Sequence, residues 1–360
     1  MRKEECFLKR EVSMKVKAYG AASAQSPISA LEIERRDVGP RDVLIEIDYS
    51  GICHSDIHQA RDEWGGSIFP MVPGHEILGH VIQVGPQVKK FKLADIVGVG
   101  CLVDSCRKCS SCQEHLEQYC ENGFSPTYNG LEQDKTTPTH GGYSTHIVVN
   151  EDFVLKIPSG LDAAGAAPLL CAGITTYSPL RYVGVTRGSR VAVLGLGGLG
   201  HMAVKLAASM GSEVTVLSGS PSKKLDAKRL GASDFALTSD EQAMLKLQNH
   251  FDVIVDTVAA KHDLNQALGL LKREGCLVMV GASHQALDLN VFQIILKRRK
   301  ILGSLIGGLK ETQEMLDYCG KHKITSDIEL IQAHQINEAY DRMIKGQVKY
   351  RFVIDAKSFK

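Results

Sequence analysis

The sequence predicts an α/β protein in two parts: a strand-rich barrel or sandwich and a doubly wound parallel sheet. Three observations carry that expectation. From about 14 to 165, short β-rich stretches are broken by frequent glycine and proline, the signature of many short strands. From about 166 to 309, near-continuous apolar strands alternate with helical text, as buried parallel strands and their crossovers do. A glycine-rich turn joins the first of those strands to the helix after it. A chain of 360 residues with 44% apolar side chains can build two or three such cores.

Residues 1–13 are polar and mixed in charge, an expected extension ahead of the first strand. That strand is Met14–Gly20, MKVKAYG. Val43–Tyr49 alternates and is β-rich, and Gly79–Gly85 and Asp95–Gly100 have the same character. The parallel sheet is expected from Val191–Gly195, Val214–Leu217, Phe235–Leu237, Phe251–Val255, Cys276–Val280 and Ile301–Ile306. Helices His201–Met210 and Lys223–Leu230 lie between strands. Six strands is the count a full dinucleotide-binding sheet needs. A helix at Thr312–Cys319 and a strand at Tyr350–Ile354 follow, the strand returning to the first part.

Composition excludes several classes. Lys plus Arg number 42 and Asp plus Glu 41, a net charge of +1. No basic field for nucleic acid results. No apolar run reaches the ~18 residues that span a bilayer, so no membrane partner is expected. The charged N-terminus lacks the apolar stretch of a secretory signal. Ten cysteines, five of them between Cys101 and Cys120, then fit a reducing cytoplasmic compartment and metal binding before disulfides.

Gly195-Leu-Gly197-Gly198-Leu199-Gly200 ends a strand and opens a helix. Gly195 permits the tight turn, Gly197 lets backbone approach a pyrophosphate, and Gly200 lets helix pack on strand. The helix N-terminus offers its unpaired N–H groups to the phosphates. The next strand ends in Ser218-Gly219-Ser220-Pro-Ser222-Lys223-Lys224. An NAD site calls for a carboxylate at that tip, and none is there. Hydroxyls and an ammonium suit the 2′-phosphate of NADP(H) instead.

Cys106, Cys109, Cys112 and Cys120 place four thiols on one short loop, enough for a closed, structural zinc site. An iron–sulfur cubane takes the same four ligands. Cys101 is a fifth thiol nearby, expected as a buried apolar residue. Elsewhere Cys53-His54-Ser55-Asp56-Ile57-His58, Pro73-Gly74-His75-Glu76 and Leu169-Leu170-Cys171 each offer metal-binding side chains. Cys53, His75 and Cys171 together are the Cys₂His set of a catalytic zinc with an open fourth position. Cys171 stands where the two parts meet, and a cleft is expected there.

These motifs resemble the zinc-dependent medium-chain dehydrogenase/reductase superfamily. GICHSDIH, VPGHE, the four-cysteine lobe, LLCAGITTYSPL, GLGGLG, GSLIGG, KETQEML and VKYRFVID resemble its cinnamyl-alcohol-dehydrogenase branch, and bacterial broad-range aldehyde reductases most. The resemblance runs over nearly the whole chain from Met14. It implies a GroES-like β-barrel catalytic domain, residues 14–165 and 310–360, with a zinc lobe at 101–120. It also implies a Rossmann NADP-binding domain of six parallel strands at 166–309.

The resemblance further implies roles. Two Zn²⁺ are bound per subunit: one by Cys53, His75 and Cys171, with Glu76 able to take the fourth position, and one by the four-cysteine lobe. Asp56 orients a ligand imidazole. Ser55 hydrogen-bonds the substrate oxygen and passes a proton through the cofactor ribose towards His58. His54 lies near the pyrophosphate, and Trp64 lines the substrate pocket. Thr175, Val258, Gly281, Ser304 and Ile306 flank the nicotinamide. Gly195, Gly197, Gly198, Leu199 and Gly200 hold the pyrophosphate, and Ser218, Gly219, Ser220 and Lys223 the 2′-phosphate. Gly219 departs from the serine or threonine common there, and 121–140 does not follow the plant members.

The implied activity is hydride transfer between NADP(H) and a primary alcohol/aldehyde pair by a homodimer. An NAD-linked alcohol or polyol dehydrogenase is the alternative on this scaffold. A catalytically idle nucleotide-binding member is another; such a chain should lack a zinc ligand or relay residue, and every one is present.

Overall fold

The computed structural model describes residues 14–283 and 285–359; the expected extension 1–13 lies outside them. Six strands form one parallel sheet, in the order Asp234–Leu237, Glu213–Ser218, Arg190–Leu194, Phe251–Asp256, Leu271–Met279 and Lys300–Gly303. The order reverses beside Arg190–Leu194, which pairs with Glu213–Ser218 on one side and Phe251–Asp256 on the other. Alternation explains its burial. Val191 and Val193 enter one apolar core, while Ala192 and Leu194 enter the core on the opposite face. Both faces are therefore covered, as a parallel sheet requires.

The second large sheet runs Ile328–Ile331, Arg351–Asp355, Asp42–Gly51, Ile77–Val84, Ile96–Val99 and Leu155–Lys156, with His146–Asn150 also paired to Asp42–Gly51. It shares one core with the hairpin Met14–Gly20 and Ser29–Arg35. The returning strand is present: Val353 pairs with Gly51 and Asp355 with Tyr49.

Two element bounds move because of tertiary contacts. The last strand of the parallel sheet ends at Gly303 rather than 306, because Ser304 N–H turns to Met279 O and Ile306 takes a left-handed φ of 38°. The helix expected over 312–319 extends to Leu309–His322. Its N-terminus gains a partner that local sequence does not reveal: Glu117 Oε2 accepts from Leu309 N–H at 3.0 Å. A carboxylate there also opposes the positive helix end.

Candidate active site

Each donor of the predicted catalytic set comes from a different local structure. Cys53 precedes the helix His54–Ala60, and Asp56 caps it by accepting from Cys53 N–H at 2.7 Å. His75 and Glu76 lead into strand Ile77–Val84. Cys171 sits in the break between the turn Ala167–Leu170 and helix Ala172–Tyr182. One ligand atom from each of Cys53, His75, Glu76 and Cys171 lies within 4.8 Å of the others, and all four residues are buried. The two sulfurs are 3.9 Å apart, close to the ~3.8 Å edge of a tetrahedron with ~2.3 Å zinc–sulfur bonds. His75 Nε2 and Glu76 Oε2 are buried with no hydrogen-bond partner. Such atoms are costly to bury, and a divalent ion would satisfy both.

Asp56 holds this geometry. Its carboxylate is 3.7 Å from His75 Nδ1 and accepts from Gly74 N–H at 3.2 Å and from the Tyr143 hydroxyl at 3.1 Å. Tyr128 stacks on the other ring surface of the site, 5.6 Å from His75 with planes 7° apart. The electrostatics follow from proximity. Hydrogen bonding with Cys171 holds the Cys53 thiol well below its usual range despite burial. Hydrogen bonds to Cys101 and Cys53 push Cys171 up. Burial would lower His75, but Cys101, Asp56 and Cys53 outweigh it and raise it.

Cys101 therefore departs from the bland expectation. It is only partly buried, its sulfur 3.7 Å from Leu170 O, and it lies against the ligand thiols.

One residue that local sequence reading missed is central. Arg351, 2% exposed, reaches from the returning strand to Glu76 and forms a buried ion pair with Oε1. Burial pushes Glu76 up to about 8, and the guanidinium opposes that shift. Burial disfavours the Arg351 charge, but Glu76 and the thiols of Cys53 and Cys171 hold it firmly protonated. The same side chain packs on the glycine loop: a Cβ at Gly198 would meet Arg351 Nη1 at 2.9 Å. Arg351 thus touches both the donor cluster, at Glu76, and the glycine loop. The available signal was an arginine inside an otherwise apolar strand, which implies a buried carboxylate partner.

The two residues expected to carry the proton lie on one helix. Ser55 and His58 are three residues apart on one helix and so share a face. Ser55 Oγ is 3.7 Å from Cys53 Sγ. His58 Nδ1 lies 2.5 Å from Glu63 Oε2, and its ring stacks on the half-exposed Trp64 at 5.1 Å. His54 is exposed beside it.

The residues expected at the cofactor fall into three groups. Gly195 has φ +90°, and a Cβ on Gly200 would lie 2.1 Å from Gly195 O, so both positions need glycine. Leu199 precedes helix Gly200–Ser209. Ser218, Gly219, Gly195 and Val258 line a cavity of about 320 Å³. Ser220 N–H donates to Ser218 Oγ at 3.2 Å, ordering the tip. Val258 and Gly281 are in contact, and Thr175 lies one turn beyond Cys171. Ile306 packs against the cores of both parts. Ser304 lines a second cavity with Tyr119 and Glu311.

In the lobe, Cys106, Cys109, Cys112 and Cys120 also converge within 4.8 Å. The Cys106–Cys112 and Cys109–Cys120 sulfur pairs are 3.9 and 4.0 Å apart. These edges fit one tetrahedral ion, whereas a cubane spreads its thiolates over separate irons. Backbone N–H groups of Cys106, Cys109 and Glu121 point at the sulfurs.

Fold and site define a two-part dehydrogenase with a catalytic and a structural metal centre. Residues 39–159 match the alcohol dehydrogenase GroES-like domain and 198–321 the zinc-binding dehydrogenase domain. The chain belongs to the zinc-binding alcohol dehydrogenase family. It is 53% identical to NADP-dependent alcohol dehydrogenase C 1 of Mycolicibacterium smegmatis over 96% of this chain and 99% of that one. It is 52% identical to the aldehyde reductase YahK of Escherichia coli over 95% and 98%. Among solved structures, a cinnamyl alcohol dehydrogenase of Sorghum bicolor superposes with TM-score 0.94 at 43% identity, covering 96% and 99%. The Helicobacter pylori CAD complexed with NADP(H) does so with TM-score 0.90 at 46% identity over the same shares.

Proposed function

We propose that this chain is an NADP(H)-dependent, zinc-dependent alcohol dehydrogenase that acts chiefly as a broad-range aldehyde reductase. The observation that carries it is the convergence of two thiols, an imidazole and a carboxylate beside the glycine loop. When bound, the zinc ion supplies Lewis acidity for the aldehyde oxygen and the nicotinamide supplies hydride.

The chain's own residues do the rest. Cys53, His75 and Cys171 hold the ion, and Asp56 keeps the His75 ring oriented with Nε2 inward. Glu76 is a reserve ligand whose charge Arg351 balances. Ser55 donates to the substrate oxygen as negative charge develops there. His58 returns the proton by way of the cofactor ribose, and Trp64 shapes the substrate side. His54 and Gly195–Gly200 receive the pyrophosphate, Thr175, Val258, Gly281, Ser304 and Ile306 the nicotinamide, and Ser218, Gly219, Ser220 and Lys223 the 2′-phosphate. Catalytic and cofactor domains are assigned to 14–165 with 310–360, and to 166–309.

A homodimer is supported by the free edge of strand Lys300–Gly303 and the exposed apolar Phe292, Ile295 and Leu296 near it in sequence. Clustered thiols suited to metal support a cytoplasmic location. Among the described residues no helix is long and apolar enough to cross a membrane.

The test is nicotinamide oxidation over aliphatic, aromatic and cinnamyl aldehydes, with NADPH and NADH, before and after chelation. NADPH is expected to be strongly preferred and chelation to abolish turnover. Equal rates with the two cofactors would remove the NADP assignment.

A further inference from the structure

The returning strand brings a second side chain to the cofactor loops, one residue before Arg351. Tyr350 is 2% exposed, and its backbone N–H donates to Asp327 O at 3.0 Å. Its ring stacks on His201, with centroids 5.0 Å apart and planes 12° apart. His201 opens the helix after the glycine loop and is fixed by Gly197 O at 3.3 Å and Ser326 Oγ at 2.9 Å. The Tyr350 ring therefore has a fixed neighbour on one face. Lys223 Nζ lies over that same ring, 5.0 Å from its centroid.

Lysine is a flexible stem ending in a point charge, and it loses much side-chain freedom when it grips an anion. A carboxylate partner could hold it in place, but would cancel the charge that a phosphate needs. Asp226, three residues on, is already engaged by Lys349 at 2.8 Å and Arg229 at 3.7 Å. Among the described residues no carboxylate forms an ion pair with Lys223. An aromatic face attracts the ammonium through its quadrupole while leaving the full positive charge.

We propose that Tyr350 is the positioning residue for 2′-phosphate recognition: its ring pre-orders Lys223 with its charge intact. A residue just ahead of the returning strand thus sets cofactor selectivity in the parallel-sheet part. This rests on the proposed role of Lys223 in NADP(H) binding.

The experiment compares kcat/KM for NADPH and NADH, with one aldehyde, in the full-length zinc-loaded protein. The variants are Lys223→Ala, Tyr350→Leu, Tyr350→Phe and the Lys223→Ala/Tyr350→Leu pair. Tyr350→Leu is expected to lower the NADPH/NADH ratio by about five- to tenfold, through KM for NADPH. Tyr350→Phe keeps the ring and should stay within about twofold of wild type. In the double variant the ratio should fall no further than in Lys223→Ala, since Tyr350 acts through that lysine. Tyr350→Met, an unbranched apolar replacement, asks the same question if the leucine variant does not fold. An unchanged ratio in Tyr350→Leu or Tyr350→Met, or an additive loss in the double variant, overturns the proposal. If Lys223→Ala alone leaves the ratio unchanged, the NADP reading of that lysine falls and this inference with it. If Lys223→Ala lowers the ratio and the Tyr350 variants do not, only this inference falls.

Discussion

His75 Nε2, buried without a partner, is the atom on which the catalytic centre turns. It needs the ion as much as the ion needs the thiols. Cys53→Ala should therefore bind one zinc per chain instead of two, lose aldehyde reduction, and keep a native far-UV spectrum; an active variant would contradict the site. His201 gives a pH prediction. Burial pushes it down to about 3, below the ~6.5 of an unfolded histidine. Below pH 6.5 the unfolded chain takes up a proton that the folded chain refuses. Stability is thus complete above pH 6.5 and falls as pH drops towards 3, by up to ~1.4 kcal/mol per pH unit from this residue. Urea midpoints at pH 7 and 5 should converge for His201→Gln relative to wild type. The ligand residues were legible because cysteine and histidine announce their chemistry. Arg351 was not, since its partner Glu76 is 275 positions away and no local pattern records that separation. Tyr143 was hidden for the same reason.

Strands and helices follow local pattern closely where both faces are buried, as along Arg190–Leu194 and Glu213–Ser218. They depart where a tertiary contact decides the end. The lobe shows this at helix Leu309–His322, whose first turn is met by Glu117 from beyond Cys112. The strand ending at Gly303 is another case, and the Tyr119 hydroxyl accepts from Leu305 N–H at 3.1 Å just past it. Losing the lobe metal should loosen both contacts. Cys109→Ser is expected to release one zinc and lower the thermal midpoint by about 5–10 °C. Metal analysis with a melting curve checks this, and an unshifted midpoint would show that the lobe holds its shape without the ion.

At the scale of the molecule, the two-part architecture was readable from where alternating strands give way to βαβ text. How the parts touch was not, because contacts such as Arg351 with Gly198 and Glu76 join positions far apart in sequence. The exposed sheet edge predicts assembly. Light scattering should give twice the 39.2 kDa chain mass, and Ile301→Pro, which disrupts the edge strand, should give the single-chain mass. The returning strand carries a consequence for biosynthesis. Val353 pairs with Gly51, about 300 positions upstream, so a nascent chain exposes the unfinished edge of Asp42–Gly51 until Arg351–Asp355 leaves the ribosome. Glu76 gains its Arg351 partner only then. The parallel sheet can form earlier. A message cut short near its 3′ end would yield a chain that folds its nucleotide half and fails quality control on the other.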